Sequence, residues 1–152
     1  MEIYSWNVNG IRSVAKKGFE SWFNSTKPEI LCLQEVRAEK DQLPEFLHDI
    51  EGYYSFWNPC QKKKGYSGVG ILSQIEPDEV NYGMGIDEFD EEGRIVQLVF
   101  PDWVLNSVYF PNGGQGEERL DYKLRFYDAF LENSLQWLEQ GKHVITVGDY
   151  NT

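Results

Sequence analysis

The sequence predicts an α/β sandwich built on a mixed β-sheet, with helices packed on one face. Three observations carry that prediction. Apolar runs of strand length recur along the chain, strand and helix patterns alternate at both ends, and the middle reads as a succession of strands. The chain has 152 residues and shows no internal repeat, low-complexity tract or Pro/Ser-rich linker, so it reads as one domain with a core of its own.

Taken in order, the strands fall at Ile3–Trp6, Ile30–Leu33, Tyr53–Trp57, Val69–Leu72, Ile95–Phe100, Val104–Phe110 and Val144–Val147. Most of these are continuous apolar runs, the pattern of a strand covered on both faces; Tyr53–Trp57 earns its place by aromatic content. Helical patterns lie at Gly18–Ser25, Gln42–Ile50 and Glu117–Gln140. In the longest, Leu120, Leu124, Tyr127, Leu131, Leu135 and Leu138 recur at three- and four-residue spacing, a stripe expected to face the core. Gly141 follows as a stop. So few helices leave part of the sheet in need of further protein to cover it.

Composition narrows the class. Apolar residues make up 41% and aromatics 15%, which marks a folded globular chain. No apolar run approaches the roughly 20 residues of a membrane span, and the N-terminus "MEIYSWNVNG" carries Glu2 where a signal sequence would be basic. Cys32 lies in an apolar run and Cys60 in a loop-like stretch, with no need to pair, which suits a reducing compartment. The net charge of −11 argues against a partner held by diffuse phosphate attraction. The charge is unevenly spread, however. Acid concentrates in "DEFDEE" (87–92), whereas "QKKKGYSG" (61–68) sets three lysines beside Tyr66, either as a solvated loop or as a nucleic-acid contact.

Four apolar runs end in groups suited to metal or phosphate. Trp6 gives way to "NVNG", Leu33 to "QE", Phe110 to "PNGG" and Val147 to "GDYN". Asn and Gly after one strand are ordinary turn formers. Four such ends on one sheet form a pattern, because sites in α/β folds are built at strand ends. Glu35 and Asp149 occupy analogous places, and a hard cation such as Mg²⁺ takes one or two carboxylates and several waters. Tyr109 stands either as a core aromatic or as a phenol at the rim, with the Asn112 amide nearby. His48 and His143 sit outside the polar clusters and read as structural. There is no Ser/His/Asp order, P-loop or zinc-spaced Cys/His set. The residues together suggest metal-assisted attack of water on a phosphate ester.

At these clusters the sequence resembles the exonuclease III family of abasic-site endonucleases, within the endonuclease/exonuclease/phosphatase superfamily. The matching segments are "SWNVNGIR", "KPEILCLQE", "KKGYSGVGILS", "EEGRI", "VYFPNGG", "ERLDYKLRFYDAF" and "VGDYNT", in order and across essentially the whole chain. "GYSGVG", "EGR" and "YFPN" favour the abasic-site branch over the superfamily's phosphoinositide phosphatases, sphingomyelinases and deadenylases.

The resemblance implies a four-layer α/β sandwich of which Met1–Thr152 is the N-terminal half of a single domain. It implies Glu35 and Asn7 as metal residues for Mg²⁺ (Mn²⁺ as the alternative), with Asn9 lining the same end. It implies Asp149 as the group that prepares the attacking water, and Asn151, Tyr109 and Asn112 as phosphate contacts. Arg12, Tyr66 and Arg94 fall where similar proteins contact DNA or brace the site, and Gln115 where some relatives insert an arginine into the duplex. The implied partner is double-stranded DNA with abasic or damaged 3′ ends, cut by a cytoplasmic, nucleoid-associated enzyme that is monomeric when complete. Family members continue into a second half ending in "SDH", absent from Met1–Thr152. The rival readings are therefore a catalytically incomplete fragment or binding module, and a superfamily phosphodiesterase with a non-DNA substrate.

Overall fold

A computed structural model describes residues 1–152. The strands are β1 (Ile3–Asn7), β2 (Ile30–Gln34), β3 (Tyr54–Asn58), β4 (Val69–Ser73), β5 (Glu79–Asn81), β6 (Ile95–Val99), β7 (Trp103–Tyr109) and β8 (His143–Asp149). The helices are α1 (Ile11–Ala15), α2 (Phe19–Thr26), α3 (Asp87–Asp90) and α4 (Glu117–Glu139). All seven expected strands are present within a residue or two. The short β5, α1 and α3 carry too few residues for a periodic signal and escaped the sequence reading.

The strands form two mixed four-stranded sheets instead of the single sheet expected from the apolar runs, in the orders β1-β2-β4-β3 and β5-β6-β7-β8. Strand β2 shows how the sheets stack. All five of its residues are buried, with Leu31 and Leu33 joining the cluster under α1 and α2, while Ile30 and Cys32 face Val96, Leu98 and Leu105 of the second sheet. The order is therefore helices, sheet, sheet, helix, the four layers implied by the family resemblance. A third cluster, around Phe110, Tyr122 and Phe126, seats α4 on the outer face of the second sheet.

Two helix expectations are corrected. Gln42–Ile50 is not a helix but parts of two single 3₁₀ turns, Lys40–Gln42 and Glu45–Leu47. Pro44 forces the preceding Leu43 into extended backbone (ψ 145°), which breaks the helical path. His48 is structural, its ring Nε2 lying 3.0 Å from the Leu43 carbonyl oxygen. The leucine stripe of α4 does not face the core. Leu120, Leu124, Leu131, Leu135 and Leu138 are 46–58% exposed, and the helix is seated through Tyr122 and Phe126 instead. Strands β1 and β8 lie at the edges of their sheets, each hydrogen-bonded on one side only.

Candidate active site

Both parallel strand pairs, β1 with β2 and β7 with β8, bring their C-terminal ends to one rim. Asn7 lies opposite Gln34 in the first sheet and Tyr109 opposite Asp149 in the second. Across the gap, the Asn7 Nδ2 group donates to Glu35 Oε1 at 2.8 Å and to Asp149 Oδ2 at 2.8 Å. One amide thus holds two carboxylates that are far apart in sequence and attached to different sheets. Its own oxygen accepts from the Asn9 backbone N–H at 3.0 Å. Beneath them the buried Gln34 amide joins Ser5 of the first sheet to Ser107 of the second, at 3.2 and 3.1 Å, so the two rims are fastened at their base.

The backbone here is unusual. Asn9, Glu35, Arg37, Ser67 and Asn151 all adopt left-handed φ values between 46° and 54°. Such a conformation is uncommon for residues with a Cβ and concentrates where a scaffold over-determines it for function. The scaffold is visible in the bonds Gly10 N to Glu35 O (2.7 Å), Val36 N to Gly68 O (2.9 Å) and Arg37 N to Ser67 O (2.9 Å). At Gly148, φ is +141° and a Cβ would stand 1.9 Å from the Val108 carbonyl oxygen, so only glycine lets β8 run this close to β7 just before Asp149.

Asp149 Oδ1 accepts the Asn151 backbone N–H at 3.0 Å, and Asn151 Nδ2 donates to the Phe110 carbonyl at 2.6 Å. The chain beyond β8 is clamped from α4. Lys123 Nζ donates to the Asn151 carbonyl, Tyr127 OH donates to the Tyr150 carbonyl, and the Tyr150 ring stacks on Phe110 at 4.7 Å. The sequence marks Tyr127 only as part of the apolar stripe, and a lysine such as Lys123 on an amphipathic helix carries no signal of this role.

Tyr109 is half-buried, and burial, aided by the negative Glu35, pushes its phenol above the ordinary value of 10.0, while Arg94 and a hydrogen bond from Asn151 pull the other way. It therefore stands at neutral pH as a protonated hydrogen-bond donor. Arg94 is buried, 1% exposed, and its bonds brace the site from within. Its guanidinium donates to Glu92 Oε1 (2.8 and 2.9 Å), to Tyr66 OH (2.8 Å) and to the Tyr109 carbonyl (3.0 Å). Arg119 bonds Glu92 from the other side. The acidic run 87–92 is accordingly not a uniform solvated patch, since Glu92 is buried and Asp90 accepts from the backbone of Met84, Gly85 and Ile86.

Arg12 approaches the rim indirectly, its Nη2 donating to the Arg37 carbonyl at 3.0 Å. Arg37, which the sequence reading passed over inside a charged loop, turns back onto Glu35 Oε2 with Nε at 3.0 Å and Nη2 at 2.5 Å. Asn112 is not hydrogen-bonded into the carboxylate cluster; its Oδ1 accepts the Gly114 N–H at 2.8 Å and folds its own loop. Gln115 lines a separate pocket of about 400 Å³ with Lys62, Lys63, Tyr66 and Arg119. His143 begins β8, at the opposite end of the strand from Asp149.

These strand ends carry the segments on which known proteins match. The model of the Endonuclease/Exonuclease/phosphatase family fits residues 4–152. The chain belongs to this family. It is similar to an exodeoxyribonuclease of Bacillus subtilis, with 41% identity over 99% of this chain and 58% of the relative. It is also similar to the DNA repair nuclease APEX1 of Danio rerio, with 39% identity over 99% of this chain and 49% of the relative. Among solved structures, a 3′-5′ exonuclease (NExo) from Neisseria meningitidis superposes with a TM-score of 0.84 at 26% identity, covering 99% of this chain and 58% of that one. Another structure, of the 3′ phosphatase NExo from Neisseria bound to a product DNA hairpin, gives a TM-score of 0.82 at 25% identity over 98% and 57%. This family member spans about half the length of the relatives it matches.

The donor set of this family member limits what it can hold. No three or more His, Cys, Asp or Glu side chains converge within this chain. Two carboxylates joined by the Asn7 amide, of which Asp149 lines a cavity of about 490 Å³ with Asn7 and Asn151 while Glu35 stands beside it, are donors of the kind a hard divalent cation takes together with several waters. No helix of the chain is long and apolar enough to cross a membrane.

Proposed function

We propose that this chain provides the first half of the active site of a divalent-metal-dependent DNA phosphodiesterase that cuts the backbone 5′ to abasic sites in base excision repair. On this reading the whole protein also removes 3′ blocking groups or nucleotides. The observation that carries it is the Asn7 amide holding Glu35 and Asp149 together across the two sheets.

In this reading Glu35, supported by Asn7, holds Mg²⁺ or Mn²⁺, with Asn9 shaping the same end. The cation would polarise a phosphoryl oxygen and offset charge on the leaving oxygen. Asp149, its carboxylate aimed by Asn7 and by the Asn151 N–H, orients a water and takes its proton as the water oxygen bonds to phosphorus. The P–O bond to the 3′ oxygen breaks, and that oxygen leaves with its negative charge offset by the cation and takes up a proton from water. Asn151, Tyr109 and, on its loop, Asn112 present N–H and O–H donors to the phosphate. The phenol of Tyr109 suits that role because burial favours its neutral, proton-bearing form. Arg94 supports the Tyr109 carbonyl from beneath.

Duplex DNA would be gripped locally, by Lys62–Lys64, Tyr66, Arg12 and Gln115, against an overall charge of −11. Both cysteines are buried and unpaired, which supports a reducing setting; we place the enzyme in the cytoplasm at the nucleoid, as a monomer. The test is a substrate panel assayed with the protein at its natural length. A duplex carrying one abasic analogue should be incised with Mg²⁺ and left intact with chelator, while a phosphoinositide is left intact in both. Hydrolysis of the phosphoinositide with an intact duplex would overturn the DNA assignment.

A further inference from the structure

Arg37 is the cation already present at Glu35. Its guanidinium reaches Glu35 Oε2 through both Nε and Nη2, although only one residue separates them. The backbone that makes this possible is fixed. Glu35 and Arg37 both have left-handed φ values of 51° and 54°, the Arg37 N–H donates to the Ser67 carbonyl, and its own carbonyl accepts from Arg12. The side chain that hangs from this anchor is not fixed. Arg37 is 45% exposed, whereas the Glu35 side chain is 13% exposed. A salt bridge with one solvated partner is weak enough to open, yet it keeps a nearly buried carboxylate neutralised while no metal is bound.

We propose that Arg37 is a built-in counter-cation that competes with the divalent metal for Glu35, setting the metal concentration at which the site fills. This rests on the reading of Glu35 as a metal residue. Metal entering at Glu35 either displaces the guanidinium from Oε2 or shares the carboxylate with it. In both cases a positive charge within a few ångströms opposes the incoming ion. The opposite expectation holds for a residue that merely orients a ligand: removing such a support weakens metal binding, typically 10–100-fold. The sign of the change therefore separates the two roles.

The test is a Mn²⁺ titration followed by the electron paramagnetic resonance signal of the free ion, which counts bound metal without reference to activity. It uses the protein at its natural length, in four forms: wild type, Arg37→Met, Arg37→Lys and Glu35→Gln. Methionine keeps the aliphatic stem and removes the charge; lysine keeps the charge and loses the fork. Exposure of Arg37 makes loss of folding no obstacle, and Lys16→Met controls for removal of one charge elsewhere. The expected result is Mn²⁺ binding tightened at least fivefold by Arg37→Met, less by Arg37→Lys, and little by Lys16→Met, with Glu35→Gln abolishing it. If binding depends on Glu35 but Arg37→Met leaves it unchanged or weaker, the competition is refuted and the metal reading stands. If Glu35→Gln binds as wild type does, the metal reading fails and the competition with it.

Discussion

Replacing Arg94 with methionine should destabilise this protein more than any surface substitution, because the position combines nearly complete burial with full hydrogen bonding. Arg94 is 1% exposed and Glu92 3%. Removing the guanidinium deletes two bonds to Glu92, one to Tyr66 OH and one to the Tyr109 carbonyl. Glu92 keeps only Arg119, whose side chain is 29% exposed and therefore a weaker partner. Breaking a buried ion pair on one side costs about 3–5 kcal/mol, since the remaining charge stays out of water. For a chain of this size each kcal/mol shifts Tm by roughly 2–4 °C, so a fall on the order of 10 °C follows. The assay is a urea and thermal denaturation cycle with Arg94→Met, Glu92→Leu and the double variant. The double variant should cost at least about 2 kcal/mol less than the sum of the singles, because it leaves no orphaned charge except the solvated Arg119. A single-variant loss below about 1 kcal/mol, or additive singles, would refute the reasoning.

Gly148→Ala should destabilise by about 3 kcal/mol or more and impair the site, because the new Cβ collides with the Val108 carbonyl at a φ of +141°; chemical denaturation reads the first effect. The Cys32 thiol is pushed up by burial from 9.0 to about 12, against a hydrogen bond from Ser107. A raised pKa means its contribution is complete below pH 9 and is lost as pH climbs towards 12, so at pH 10.5 the wild type should have lost on the order of 2 kcal/mol relative to Cys32→Val. Equal pH profiles for the two would contradict the burial argument. On α4, replacing Leu124, Leu131 and Leu138 with lysine should leave the Tm of the 152-residue chain within a few degrees in thermal denaturation, because these side chains are already more than half exposed; a fall of more than about 10 °C would contradict their placement outside the core.

The leucine stripe illustrates what the sequence conceals. Spacing at three and four residues identifies a helix correctly, but it does not say which of two apolar faces the domain uses. Here the aromatic side, Tyr122 and Phe126 with Tyr127 packed alongside, goes inward, and the leucines remain outside. Strand Ile30–Gln34 was legible because burial on both faces makes its first four residues apolar. The same uniformity hid the division into two sheets, since a run buried on both faces reads alike wherever it pairs. Gln42–Ile50 looked helical by periodicity until Pro44 imposed extended backbone on Leu43. At the site, Glu35 and Asp149 stood out as carboxylates at the ends of apolar runs, although β8 proves to be a half-exposed edge strand. Arg37 and Lys123 did not, because a charged loop and a helix surface are where such residues ordinarily sit in water.

In the proposed mechanism Glu35 is the residue that holds the catalytic cation. The most direct measurement is the rate of incision of an abasic-analogue duplex by Glu35→Gln, at the protein's natural length and across a Mg²⁺ titration. A second-derivative far-ultraviolet spectrum matching wild type would establish that the fold is retained. The predicted result is a loss of at least about 100-fold, the size of effect seen when an electrostatic group is removed from a preorganised site, with only partial recovery at high Mg²⁺. Incision by Glu35→Gln at the wild-type rate and Mg²⁺ dependence would contradict it.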